Sequence, residues 1–346
     1  MHDGWNRMTP VVAENNPFHQ MSLNETVHPP LPEVVDAVLR TARTAHRTLD
    51  ALGGGLCQAL AAHLGVEPGH VFAGPGSGAL LQQLFSTLTG PDTDTVHAWP
   101  SWEAYPMMAA NAGSTTVRVP LTGYDHDLKA MADAVTDRTR MVLLCTPNNP
   151  TGTALDHDRI LRFLDRLPAH VTVVIDEAYR DFADPAAIAD GIALHRADER
   201  VCVVRTFSKS YGLLSLRVGY LVAHEPVLAP LRTILPFYRV SAVAQEAAVA
   251  ALGAHERVLR QCAETAEERD RLHRTLLDQG WEAPASQGNF LWLPMTSGVE
   301  RFTQFCADHG VVVCGKPGEG IRVTVAEPEA NQAFAELAGK YREAFV

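Results

Sequence analysis

The chain reads as an α/β protein: a mostly parallel sheet of about seven strands sandwiched by helices, followed by a smaller α+β part. Three observations predict this. Short runs rich in Val, Ile and Leu recur from Val71 to Val222, too uniformly apolar for a sheet with one wet face. Stretches with apolar residues at helical spacing lie between most of them. Past Tyr220 the alternation stops, a long helical stretch follows, and three further strand-like runs come after it.

Taken in order, residues 1–31 read as an N-terminal arm, extended and without period over Met1 to Asn24. Pro29, Pro30 and Pro32 stop any helix there, because each restricts itself and its predecessor. From Glu33, the apolar residues Val34, Val35, Val38 and Leu39 predict a helix to about Ala45. A second helix carries Leu56, Leu60 and Leu64 after Gly53–Gly55.

Strands are expected at Val71–Ala73, Thr95–His97, Thr115–Val119, Met141–Cys145, Val171–Ile175, Val201–Arg205 and Gly219–Val222. Helical patterns at Leu80–Leu88, Leu128–Val135 and Arg159–Leu167 separate them. This gives a large domain over 32–239. A small domain over 240–346 opens on a linking helix, Val240–Leu277, with Gly253 as its weak point. Its strands are Asn289–Leu293, Gly310–Cys314 and Gly320–Thr324, and its helices Val299–His309 and Glu329–Ala344.

Composition narrows the function. With 346 residues, 46% hydrophobic, the chain can bury one large core and a smaller one. It holds no run of about 18 apolar residues and no charged-then-apolar leader, so no membrane association is expected and the cytoplasm is the expected compartment. A formal charge of −11 argues against nucleic acid as a partner. Six scattered cysteines without a C-x-x-C pair read as reduced core thiols, and no metal is expected.

Open parallel sheets bind ligands beyond the carboxyl ends of their strands, and four loops stand out there. Gly74-Pro-Gly-Ser-Gly78 follows a strand and precedes a helix, which suits either an oxyanion or a tight turn. It matches neither the Rossmann nor the Walker pattern. Thr146-Pro-Asn-Asn-Pro-Thr-Gly152 is a rigid turn, in which Asn149 is a preorganised side-chain amide. Asp176-Glu-Ala-Tyr179 ends the most apolar strand; the acid is either a cap or the partner of a cation such as a protonated ring nitrogen. Thr206-Phe-Ser-Lys-Ser-Tyr-Gly-Leu-Leu-Ser-Leu-Arg217 sets one lysine among hydroxyls with a guanidinium nearby, the groups a phosphate dianion wants.

Together these stretches resemble the fold-type I pyridoxal-phosphate enzymes of aminotransferase class I/II, most closely the histidinol-phosphate aminotransferase branch. The resemblance runs from Asn24-Glu25 to Ile321-Arg-Val-Thr324. It implies pyridoxal 5'-phosphate as cofactor, Lys209 as the lysine that binds it covalently and then takes the substrate α-proton, and Asp176 as partner of the ring nitrogen. Asn149 and Tyr179 would bond the phenolic oxygen and Trp102 would stack on the ring. Gly76, Ser77, Gly78, Thr206, Ser208 and Arg217 would hold the phosphate. Arg322 would pair with the substrate carboxylate, with Asn24, His28 and Asn289 as further substrate contacts. A homodimer with shared active sites is implied.

The chain departs from that branch where substrate is chosen. His46-Arg-Thr-Leu-Asp50 stands in place of an Arg-Tyr-Pro segment, putting Thr48 at the tyrosine that reaches the neighbouring subunit's phosphate. The arm has Thr26, Val27 and His28 before Pro29 and Pro30 instead of Asn-Pro-aromatic. Cys314 takes the place of an arginine, and Gly78 that of the phosphate-loop aspartate. A charged hydrogen bond to phosphate is worth about 1.5–3 kcal/mol, so the expectation is an aminotransferase acting on a donor other than histidinol phosphate. A basic side chain in specialised metabolism is one reading, selected by Glu25 or Glu103. The alternatives are an authentic histidinol-phosphate aminotransferase, a pyridoxal-phosphate decarboxylase or elimination-cyclisation enzyme, and a sensor that binds the cofactor without turnover.

Overall fold

The computed structural model describes residues 18–48, 50–234 and 237–345. Most of the arm read over 1–31, together with Leu49 of the His46–Asp50 run, lies outside the described residues. In chain order come β1 (His19–Met21), α1 (Pro32–Ala42), α2 (Gly54–Leu64), β2 (Val71–Gly74), α3 (Ser77–Leu88), β3 (Asp94–Trp99), α4 (Ala104–Asn111) and β4 (Thr115–Pro120). Next are α5 (Leu128–Asp133), β5 (Thr139–Cys145), α6 (His157–Leu164), β6 (Thr172–Asp176), α7 (Gly191–Ala197), β7 (Val201–Thr206), β8 (Gly219–Val222) and α8 (Glu225–Ile234). Then follow α9 (Ala242–Gly253), α10 (His255–Asp278), β9 (Phe290–Pro294), α11 (Val299–Asp308), β10 (Val311–Lys316), β11 (Gly320–Thr324) and α12 (Pro328–Phe345).

The seven expected strands form one sheet in the order β2-β8-β7-β6-β5-β3-β4. Only β8 runs against its neighbours. Successive residues of the central strands feed opposite cores, as the two-residue period demands. Val142, Leu144, Val173, Ile175 and Val203 face one core. Met141, Leu143, Val174, Cys202 and Val204 face the other, beneath α3, α4 and α8. Four of the helices on this sheet start on an aspartate or serine cap: Asp127 accepts from the Ala130 amide, Asp156 from Arg159, Asp190 from Ile192 and Ala193, and Ser241 from Ala244.

Helix α8 carries Pro226 and Pro230, which hide it from propensity reasoning. Burial of Val227, Leu228 and Leu231 holds it in place. The expected long linking helix breaks at Ala254 into α9 and α10. Although it lies beyond residue 239, α9 puts Ala244, Ala247, Ala248 and Ala251 into the large-sheet core. Helix α10 makes the crossing, with Val258 and Cys262 in the large core and Leu272 and Leu276 in the second.

That second core lies on a four-stranded sheet, β1-β10-β11-β9. Its outer strand comes from the arm: β1 runs parallel to β10, pairing Met21 with Val313. Three residues are too few to show a period, so this strand was illegible before pairing. All six cysteines are free. Among the described residues, no helix is long and apolar enough to cross a membrane.

Candidate active site

The four loops meet where the C-terminal ends of β5, β6 and β7 face β10 and β11. They line a cavity of about 870 Å³, within the range of small-ligand sites. Ser77, Gly78, Trp102, Asn149, Asp176, Tyr179, Thr206, Ser208, Lys209, Arg217 and Arg322 all contribute to its wall.

Asp176 ends β6, and only 3% of it is exposed. Burial pushes its pKa up to about 6, although the Tyr105 hydroxyl and the Ala178 amide pull it down. Tyr105 Oη donates to Asp176 Oδ2 at 2.9 Å. A buried carboxylate with two neutral donors and a raised pKa suits a cationic ring nitrogen as a further partner.

The start of α3 forms an anion cradle with the loop after β7. Gly76 has φ 93°, which frees the first amides of α3. Arg217 lies over it, so close that a Cβ on Gly76 would stand 2.8 Å from Arg217 Nη2. Arg217 itself has φ 53°, an unusual backbone for a residue with a side chain, and its Nη1 donates to Leu214 O at 2.8 Å. Thr206 Oγ1 donates to Ser208 Oγ at 2.8 Å and accepts from the Ser208 amide at 3.1 Å. Amides, hydroxyls and a guanidinium are the donor set a phosphate dianion needs.

Lys209 stands between this cradle and the small sheet. Its Nζ donates to Leu23 O at 3.0 Å and lies 5.9 Å from the centre of the Tyr179 ring. Burial, then the charges of Arg322 and Arg217, bring its pKa down to about 7. An amine with a large neutral fraction near pH 7 can act as nucleophile and as base.

Arg322 projects from β11. Its Nη1 donates to Asn149 Oδ1 at 2.7 Å and its Nη2 to Ser22 O at 2.5 Å, while Nε has no partner. Asn24 Nδ2 donates to Tyr179 Oη at 3.0 Å, and burial raises the Tyr179 pKa to about 12.

Three expected substrate contacts fall elsewhere. Asn24 is spent on Tyr179 and on Thr324, whose Oγ1 accepts from the Asn24 amide at 2.9 Å and donates to its Oδ1 at 3.1 Å. Asn289 Nδ2 donates to Glu25 O at 3.1 Å and Asn24 O at 3.3 Å, so it fastens the arm. His28 lies 3.8 Å from Glu264. None of the three lines the cavity. Thr48 is exposed and also outside the cavity wall.

Several wall residues were not anticipated. Val299, Thr303 and Ala307 form one face of α11, and Trp99, Val312 and Val313 extend it beside the expected Cys314. The four-residue spacing on α11 is visible in the sequence, but spacing alone does not say what the face meets. Cys314 pairs in register with Arg322 across β10 and β11. Glu103, a candidate selector of a basic substrate, accepts from Lys316 Nζ at 2.7 Å, and Glu25 lies outside the wall.

The family model described as aminotransferase class I and II matches residues 18–336. An aromatic amino acid aminotransferase from Streptomyces avermitilis is 45% identical over 336 residues, covering 96% of this chain and 93% of its own. One of the same name from Thermobifida fusca is 43% identical, covering 96% and 92%. Among solved structures, a histidinol-phosphate aminotransferase from Sinorhizobium meliloti in complex with pyridoxal-5'-phosphate superimposes with TM-score 0.88 at 25% identity, covering 96% of this chain and 93% of that one.

Proposed function

We propose that this chain, which belongs to the class I and II aminotransferase family, moves the amino group of an aromatic amino acid to a 2-oxo acid. It is a pyridoxal 5'-phosphate-dependent transaminase. The observation that carries the donor class is the cavity wall that Arg322 shares. Trp99, Trp102, Val299, Val312, Val313 and the short Cys314 surround the space beside it, and the Lys316 and Glu103 charges there satisfy each other. An apolar wall suits a flat ring, whereas a phosphate there would lose its hydration and meet the Glu300 and Glu319 carboxylates of the same cavity. The 45% and 43% identical relatives named aromatic amino acid aminotransferases support the same reading.

The geometry supports the following residue roles. The α3 amides, Ser77, Thr206, Ser208 and Arg217 would hold the cofactor phosphate, and Asp176 its ring nitrogen. Trp102 would cover the ring face, and Asn149 and Tyr179 would meet the phenolic oxygen. When bound, the cofactor supplies an electron sink for the carbanion left by α-proton loss. Lys209 Nζ, in the neutral form that its lowered pKa makes available near pH 7, accepts that proton and returns it. Arg322 orients the donor by its carboxylate, its planar fork matching the two oxygens.

A homodimer belongs to the same proposal. Leu39, Leu52, Phe237 and Tyr238 are all more than half exposed, an apolar surface that a second copy would cover. Free cysteines throughout favour a reducing, cytoplasmic setting. The division into arm, large and small domains is retained, with core membership moving the last boundary from 239/240 towards Ala254.

The donor is tested by mixing the aldehyde-form enzyme singly with phenylalanine, tyrosine, lysine and histidinol phosphate and following formation of the amine form by absorbance and mass. Phenylalanine and tyrosine should convert it fastest. Conversion by histidinol phosphate or lysine alone would overturn the aromatic assignment.

A further inference from the structure

Three histidines converge at the end of the large sheet remote from the cavity. His70 closes the single 3-10 turn Pro68–His70 ahead of β2, His195 lies in α7 just before β7, and His224 follows β8. Because β2, β8 and β7 are neighbours in that order, their ends bring the three side chains together. One ring nitrogen from each residue lies within 4.8 Å of those of the other two.

The hydrogen bonds orient these rings. His195 Nδ1 lies 3.0 Å from Val201 O, and His224 Nε2 lies 2.9 Å from His195 O. A carbonyl only accepts, so both nitrogens carry hydrogen, and His195 Nε2 and His224 Nδ1 are left as lone-pair donors. His70 Nδ1 lies 3.3 Å from His195 Nε2 and donates to it, a hydrogen bond that a bound ion would replace. That separation matches the edge of a tetrahedron with metal–nitrogen bonds of about 2.0–2.1 Å, roughly 3.3 Å. Imidazoles whose second nitrogen is tied to a backbone carbonyl are the usual form of a metal ligand. His195 is buried, whereas His70 and His224 retain partial exposure and so room to adjust.

We propose that His70, His195 and His224 form a binding site for one divalent transition-metal ion of the zinc class, with water completing the coordination. Three imidazoles without a thiolate suit zinc, cobalt, nickel or copper, whereas magnesium and calcium prefer oxygen. The ion would clamp the ends of β2, β7 and β8 and add stability by binding the folded state only.

The test uses the untagged holoenzyme after chelator treatment. Zinc is titrated calorimetrically, and cobalt is added separately to read its ligand-field absorbance. One ion per chain should bind, with a tetrahedral cobalt spectrum and a raised melting temperature. His70→Gln and His224→Gln should each weaken binding at least about tenfold, since even loss of an outer-shell partner costs 10- to 100-fold. The cofactor absorbance and its response to an amino donor should not change. Either variant suffices if the other fails to fold, and the metal-free melting temperature identifies that case. Absence of binding, equal affinity in parent and both variants, or zinc-dependent change of the cofactor absorbance would each overturn the site.

Discussion

Arg322 Nη1 and Asn149 Oδ1 are joined by a 2.7 Å hydrogen bond that links the small sheet to the loop after β5. The guanidinium also donates to Ser22 O, yet its Nε has no partner. Among the described residues, its hydrogen-bond partners are neutral, so a substrate carboxylate would be its first anionic one. Arg322→Lys should therefore weaken binding of the amino donor about 10- to 100-fold, the worth of a charged hydrogen bond of about 1.5–3 kcal/mol. Lysine keeps the charge but not the fork. Saturation of the half-reaction rate with donor concentration measures it; an unchanged half-saturation would rule out carboxylate binding by Arg322.

Burial holds the Lys209 pKa near 7 in the folded chain, against 10.5 for a free lysine. The unfolded chain thus binds a proton between those values that the folded one does not. Stability falls as pH drops from above 10.5 towards 7, and the deficit is constant below. In cofactor-free protein, Lys209→Met should raise the melting temperature at pH 7, and the gain should fade as pH approaches 10.5. A gain independent of pH would refute the shift.

For Asp176 the sign runs the other way. Its folded pKa of about 6 exceeds the ordinary 3.8, so stability is full below 3.8 and declines until pH passes 6. Asp176→Asn should stabilise the cofactor-free protein above pH 6 while lowering turnover about 10²- to 10³-fold, the scale of losing one charge aimed at the reacting centre. Thermal melts across pH and donor half-reaction rates read both halves.

Cys314→Arg would set a second guanidinium in register opposite Arg322. The ratio of half-reaction rates should shift from aromatic donors towards phosphate-bearing ones by at least about tenfold, as one charged hydrogen bond allows. If the ratio stays put, Cys314 has no part in substrate choice.

Leu39→Asp and Phe237→Asp place charge on side chains that are 55% and 71% exposed. If these residues lie in a dimer interface, sedimentation should show dissociation with loss of activity. A parent chain that sediments as an active monomer would exclude shared active sites.

The residues proposed for the cofactor could be picked out in the sequence because each sits within a few residues of a strand end. The Asp176 and Lys209 loops follow β6 and β7 directly, and local order in sequence becomes local order in space. Tyr105 was not legible as the Asp176 partner, since 71 positions separate them. Asn24 was read as a substrate contact, but its amide reaches Tyr179 across 155 positions. The same distance in sequence hid the histidine trio, whose members follow no metal-ligand spacing.

By itself, then, the sequence determined the seven strands and their mostly parallel run, and it picked out the residues proposed for the cofactor, because strand pattern and strand-end loops are properties of contiguous residues. Which residues surround the substrate was decided only by tertiary structure. That wall is assembled from the arm, α11, β10, β11 and the Trp99–Trp102 turn. Their common boundary follows from folding the small sheet against the large one, a relation that spacing along the chain does not encode.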